Sequence, residues 1–432
     1  MKKAVYLILI VFSLVLTGFA VPADIQSDDV DIEELKKSAP KVFFDCGMCD
    51  IDYIRTHITY VNYVRDRKEA QIHVMVTTLG TGSGGREYTL AFIGQLDFIG
   101  INDTQTYYSL QTETQDEIRE GLTDALKIGL MSFVAKTPIA QRIKINYASE
   151  SGTEIKANNW NNWVFRVSGS GRISGEESYK TRSLSGSFSA NRTTEDFKIS
   201  MSLHINHNRD VFTISDEDLS STQESMNFSG LFVKSLGEHW SVGAFIRAGS
   251  DSYKNVKYSI VPSPAVEYNL FPYSDSTRRQ MRFLYRIGFN IIRYREETIY
   301  GKITENLLQE SLAVTLSLKE KWGTISTTLE GSHYFHDFNK NRLTFFNILN
   351  LRLFKGFSVF MFGGGSRIHD QLSLQKGGAT LEEALLKRKQ LATSYDYFFS
   401  VGFSFTFGSI FTNVVNPRFG SSGHGGISII IN

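Results

Sequence analysis

The chain has 432 residues, with 46 Lys plus Arg against 45 Asp plus Glu, a balance that gives nucleic acid no reason to be a partner. Aromatic residues make up 13% while Pro numbers only 7, which suits long strands more than helical packing. Beyond residue 23 no apolar run reaches the ~20 residues that a spanning helix needs, so any crossing of a bilayer falls to strands.

The opening stretch "MKKAVYLILIVFSLVLTGFAVPADIQ" sets Lys2 and Lys3 before an apolar run over residues 4–16, then small residues at Gly18, Ala20 and Ala23. That order predicts a secretory signal peptide over 1–23. No cysteine follows the apolar run, so a lipid anchor is not expected. Residues 24–41 carry acidic and polar side chains with few large apolar ones and read as a flexible spacer.

From 42 to 137 the pattern is that of a small α+β domain. "QIHVMVTT" (71–78) and "REYTLAFIGQL" (86–96) alternate apolar and polar side chains and predict a hairpin. Further on, Ile118, Leu122, Leu126, Leu130 and Phe133 recur at helical spacing, with Thr114 and Glu117 placed for a capping box and Pro138 ending the run. Residues 138–159 are read as a linker.

Residues 160–412 predict a barrel of about twelve antiparallel strands. Period-two alternation returns in twelve segments, at 163–174, 183–191, 197–207, 225–234, 240–249, 256–270, 280–294, 310–319, 323–335, 342–353, 357–367 and 395–411. An even number of alternating strands is the pattern of an outer-membrane barrel, where closure leaves no backbone unpaired in hydrocarbon. The connections alternate short and long: "RTTED", "SLGEH", "KEKWG" and "KGF", with a longer turn within "FPYSDSTRR", against long polar stretches at 207–223, 294–309 and 368–394. Short turns on the periplasmic side and long loops outside are the barrel asymmetry. Trp160, Trp163, Trp240 and Trp322 all fall at the expected periplasmic rim, as membrane-interface anchors would. Residues 413–432 form a carboxy-terminal extension.

In "YFFSVGFSFTF", Gly402 is followed at three and five residues by Phe405 and Phe407, which resembles the assembly signal of outer-membrane barrels. More widely, "DCGMCDIDYIR", "YVRDRKEAQIHVMVTT", "GTGSGGREYTLAFIG" and the run from 368 to 419 resemble a family of bacterial outer-membrane β-barrel proteins with an amino-terminal periplasmic α/β domain. The resemblance spans roughly 42 to 420. It implies residence in the outer membrane of a Gram-negative bacterium, with the first domain in the periplasm. The partners expected are outer-membrane lipid, the barrel assembly machinery and a periplasmic protein. It brings no activity, substrate or catalytic residue with it. The strand and helix order of 42–137 is also similar to small α/β domains of periplasmic assembly proteins, such as the amino-terminal domain of the Tol translocation propeller protein.

Candidate chemistry is sparse. Cys46 and Cys49 stand two residues apart in an oxidising compartment, where a disulfide, a redox pair or a metal site are the alternatives. Asp45 and Asp50 flank the pair and oppose thiolate formation, which favours a local disulfide. "GTGSGGRE" (80–87) lacks the Lys and the following helix of a phosphate loop and reads as a hairpin tip. "SDED" (215–218) lacks a calcium-loop spacing and reads as a solvated acidic loop. No hydrolase elbow or zinc helix appears, so no enzyme, metal or cofactor is expected.

The positions opposite the apolar face should line a lumen. They include Arg166, Arg172, Lys198, His204, Arg247, Arg282, Arg286 and Arg352, against Glu267, Glu330 and Asp396. Positive charges outnumber acids, a bias that in an open pore selects anions and in a narrow one is absorbed by pairing. Two functions are expected from this: a channel or binding protein for small anionic solutes, or a non-conducting anchor that presents the first domain to an envelope assembly partner. The helix-forming stretch 379–391 would lie at the outer mouth as a lid or cap.

Overall fold

The computed structural model describes residues 36–81, 84–145, 160–194, 196–214, 217–378, 389–409 and 411–413. The signal peptide, most of the spacer, the acidic tip 215–216, most of the stretch 379–391 and residues 414–432 lie outside them.

The first unit is a five-stranded sheet in the order β2-β1-β3-β4-β5, built from β1 (Lys41–Asp45), β2 (Asn62–Tyr63), β3 (Ile72–Gly80), β4 (Arg86–Gly94) and β5 (Asn102–Ser109). β1 runs parallel to both β2 and β3, while β3, β4 and β5 form an antiparallel meander. The hairpin falls where alternation put it. β1 and β5 were missed, β1 because five residues are too few to show a period and β5 because "NDTQTYYS" is polar on both faces.

Helix α1 (Ile51–His57) starts at Asp50, whose carboxylate accepts from the Tyr53 amide. Helix α2 (Gln115–Val134) starts at Thr114, and the Thr114–Glu117 capping box is complete in both directions. Leu126, Leu130 and Phe133 of α2 pack with Val42, Ile72, Val74, Leu90 and Phe92 in one buried core. Gly129 lets α2 lie directly on the Phe92 ring, because a Cβ there would sit 2.1 Å from a ring carbon.

The domain boundaries shift from the expected ones. Ala39 is buried in this core, so the unit begins before 42, within the supposed spacer. Ile139, in a single turn over Pro138–Arg142, is buried there too, so the unit runs past 137 into the supposed linker.

The second unit is a twelve-stranded antiparallel meander: β6 (Trp163–Gly175), β7 (Tyr179–Thr193), β8 (Phe197–Ile214), β9 (Glu217–Ser235), β10 (Trp240–Asp251), β11 (Val256–Asn269), β12 (Arg279–Tyr294), β13 (Thr304–Glu320), β14 (Gly323–Tyr334), β15 (Asp337–Phe354), β16 (Phe357–Ile368) and β17 (Tyr395–Phe405). Every predicted segment is a strand. The stretch 207–223 was expected as a loop, yet β8 and β9 stay paired from Phe197–Lys234 to Ile214–Glu217. Polar residues there mark a hairpin that continues beyond the apolar band; they do not end the strands. At the other end β17 stops at Phe405, well short of 411.

Among the described residues no pairing joins β6 to β17, and both strands are exposed along nearly their whole length. The register shows what closing them requires. Opposed residues lead from Trp163 through Arg192, Ile199, Phe232 and Ala244 to Pro264, then in the same register through Ile287, Glu310, His333 and Asn341 to His369 and Thr393. β6 and β17 overlap end to end when Trp163 faces Phe405, which lies twelve residues beyond Thr393. A stagger of twelve over twelve strands has the proportion of eight-stranded barrels with a shear of eight, whose strands tilt by about 36°.

Candidate functional site

Strand parity assigns each side chain of the sheet to one face. Arg286 contacts Ser311 and Glu330, and Ser168, Ser170 and Ser202 meet Ser187, Ser185 and Ser229, which fixes the polar inner face. On this face stand Arg166 and Arg172 of β6, Lys198 of β8, Arg247 of β10, Glu267 of β11, Arg282 and Arg286 of β12, Glu330 of β14 and Arg352 of β15.

These charges divide into two groups. On β11 to β15 the cations are matched: Arg282 lies 3.7 Å from Glu267, Arg286 pairs with Glu330, Arg342 donates twice to Asp370 at 3.0 and 2.8 Å, and Arg352 pairs with Asp45. On β6 to β10, Arg166, Arg172, Lys198 and Arg247 are exposed and have no hydrogen-bond or ion-pair partner among the described residues. One wall is electrostatically satisfied, and the other presents free positive charge.

The inner face is not polar throughout. Phe346, Phe360, Phe362 and Phe398 cluster on it across β15 to β17, with Phe346 and Phe398 each within 6 Å of Phe362 between ring centroids. Gly402 is the small residue beneath the Phe360 ring, where a Cβ would lie 2.2 Å from a ring carbon. Phe405 and Phe407, by contrast, join Phe354 and Phe357 in an aromatic group at the short-turn rim. The signal for the inner phenylalanines was present in "FSVFMF" (357–362), which is apolar at both parities.

At the rim of long loops, residues 369–376 leave β16 and cross to β11 and β12. The Asn255 side-chain amide donates to the Ser373 carbonyl at 3.0 Å, the Ile299 amide donates to the Leu374 carbonyl at 2.8 Å, and Lys376 pairs with Glu297 at 3.0 Å. Leu372 is buried with Leu307 and Tyr334, both from the inner face. A chord between strands that far apart covers the β12–β14 part of the mouth. The lid expected from 379–391 therefore has a described counterpart earlier in the same loop.

At the rim of short turns the first domain is docked on the β13 to β17 side. Arg67 donates to the Lys321 carbonyl, Asp66 accepts from the Gly356 amide at 2.7 Å, Lys355 pairs with Glu69, and Arg65 donates to the Ser409 carbonyl at 2.9 Å. Past β17 the chain adds itself to the edge of β2: Val64 bridges Phe411, and the Thr412 amide donates to the Tyr63 carbonyl at 3.0 Å. Residues 411 and 412, expected to close the barrel, thus lie against the first domain.

The innermost contact is Arg352 with Asp45. Burial pushes the Asp45 carboxyl up, but hydrogen bonding and charge from His73 and Arg352 outweigh it and hold the group down at about 2. His73 is fully buried with its Nε2 3.5 Å from Asp45 Oδ2, longer than a good hydrogen bond, so Arg352 carries most of this effect. Next to Asp45, Cys46 and Cys49 are joined in a disulfide with Cα atoms 5.5 Å apart. Trp160, Trp163, Trp240 and Trp322 all stand at this same rim, and Trp163 stacks on Phe165 at 5.8 Å.

No helix among the described residues is long and apolar enough to cross a membrane, and no group of three or more His, Cys, Asp or Glu is arranged to hold a metal. No protein-family model and no curated protein matches the chain. Two solved structures are similar in part. The NanC porin is 12% identical with a TM-score of 0.28, over 56% of this chain and 99% of that one. The translocator domain of the autotransporter NalP from Neisseria meningitidis is 9% identical with a TM-score of 0.26, over 57% of this chain and 87% of that one. At such scores the superposition is loose, and the architecture is read from the strand register itself.

Proposed function

We propose that the chain is an outer-membrane β-barrel that passes or binds small anionic solutes, with its first domain docked at the periplasmic mouth. The observation that carries this reading is that Arg166, Lys198 and Arg247 on β6 to β10 have no partner among the described residues, while the inner-face cations of β12 and β15 are matched. Cations without partners raise the local concentration of anions in a water-filled path, whereas a barrel serving only as an anchor would be expected to neutralise its interior. The outward apolar positions and the tryptophans on one rim support the membrane location.

A second reading is favoured by a different observation. The domain is tied to three successive parts of the short-turn rim, as a platform for a periplasmic protein would be. Planar-bilayer recording of the purified full chain separates the two. A steady current whose reversal potential in a chloride gradient shifts toward anion selectivity supports transport. A silent barrel under the same conditions removes it and leaves the anchor.

A further inference from the structure

Midway along the inner face, below the loop that crosses the mouth, lies a cavity of about 320 Å³ lined by His204, Asn227, Ser229, Arg247, Asn290 and Gln309. Every one of these side chains projects inward from β8, β9, β10, β12 or β13. We propose that this cavity is an oxyanion-binding site, in which the Arg247 guanidinium takes the carboxylate or phosphate of a small solute and the surrounding amide, hydroxyl and imidazole groups take its polar body. The proposal deepens the anion-channel reading and rests on it for the site's purpose.

The composition of the lining is what singles out an anion. It contains one permanent cation and no carboxylate, so nothing within the cavity neutralises Arg247. The nearest inner-face acid, Glu330, is already held by Arg286, which also lies against the Phe245 ring at 5.4 Å. Arg247 is left without a hydrogen bond or ion pair among the described residues. A guanidinium offers a planar fork of donors that fits two oxygens of a carboxylate or phosphate, and a concave wall strengthens the charge interaction relative to open water.

The volume is at the lower end of ligand cavities, which suits a molecule of few heavy atoms. Conduction demands that an anion entering such a site also leave it. Binding should therefore be weak, on the order of millimolar, because a tight site would stop the flow it serves.

The test uses the full chain in detergent micelles with inorganic phosphate as probe, read by phosphorus NMR line broadening, and sodium acetate as a competing carboxylate. The expected result is broadening by the wild-type protein that acetate relieves, with Arg247→Gln weakening phosphate binding about tenfold, the share one charge-assisted bidentate contact contributes. Arg182→Gln, on the outer face, removes the same charge and should leave the broadening unchanged. Gln309→Ala provides a second cavity variant should Arg247→Gln misfold, and a two- to threefold loss is expected from it. No broadening with the wild type, or broadening that survives Arg247→Gln, overturns the site. Broadening that Arg182→Gln weakens equally reduces it to a general surface charge effect and also overturns it. Binding lost in Arg247→Gln together with a silent bilayer keeps the site and removes the channel.

Discussion

Arg352, inside the β15 end of the large sheet, offers both terminal guanidinium nitrogens to the two carboxylate oxygens of Asp45, 307 residues earlier in the chain. The Arg352 guanidinium also lies 5.6 Å from the Phe43 ring. One two-pronged pair thus links the carboxy end of β1 to the mouth of the sheet, beside the Cys46–Cys49 disulfide.

Replacing Asp45 with Asn removes the charge and leaves Arg352 half-buried beside an amide. A hydrogen bond to a charged group contributes about 1.5 to 3 kcal/mol, so docking of the first domain should weaken by that amount. Limited proteolysis between Ile143 and Trp160 in the folded full chain should accelerate, while the heat-modifiable gel shift of the large sheet stays as it was. Unchanged proteolysis would show that the pair does not hold the domain.

The same pair sets a pH dependence. Its carboxyl is held below its ordinary value of 3.8, at about 2, so the docked state is favoured fully above pH 3.8 and loses this contribution as pH falls toward 2. Release of the domain, followed by cross-linking between Arg67 and Lys321 positions mutated to Cys, should begin below about pH 4 and should not occur between pH 5 and 8. Release at neutral pH would assign the docking to other groups.

Gly129 of α2 tests the core of the first domain. A methyl there must displace the fully buried Phe92 ring, and overpacking of this kind costs about 1–3 kcal/mol, partly offset by the ~1 kcal/mol that Ala gains in a helix. The 2.1 Å approach places the cost toward the top of that range, so a net ~1–2 kcal/mol remains and Gly129→Ala should speed hydrogen exchange of α2 amides by roughly five- to thirtyfold, at about 1.4 kcal/mol per decade. An unchanged or slower exchange would mean that the helix does not lie on the ring as described.

The seam between β6 and β17 has a definite register to be checked. With Trp163 opposite Phe405, Ser168 faces Ser400 and Arg172 faces Asp396, which sets opposite charges across the join. Ser168→Cys with Ser400→Cys should cross-link on oxidation in lipid, visible as altered migration of the unboiled protein. A link formed instead by Ser168→Cys with Gly402→Cys would move the stagger from twelve to fourteen. No link with either pair would leave the sheet open.

How much of this was legible in the sequence depended on the length of the pattern. Twelve strands were readable because alternation persists over about ten residues, as over 197–206, and one face must stay apolar throughout. β1 and the two-residue β2 were not, because their pairing is parallel and long-range and leaves no local period. The inward charges were readable one by one from parity. Which of them are satisfied was not, since Arg286 and Glu330 sit on strands two apart and Arg352 finds its acid in another domain. Glu310 escaped for the opposite reason: it stands on the outer face, where the Tyr285 hydroxyl donates to it and His333 lies 2.7 Å away.

The docked domain precedes β6 in the same polypeptide, joined to it by the residues between Ile143 and Trp160. A short tether holds a module near its target at an effective concentration on the order of millimolar. Contacts worth only a micromolar dissociation constant between separate molecules would then keep roughly 999 of every thousand domains docked. Modest surface pairs such as Lys355 with Glu69 are sufficient to hold the domain almost permanently on the β13 to β17 side of the rim, and a soluble copy of the same domain would compete with it poorly.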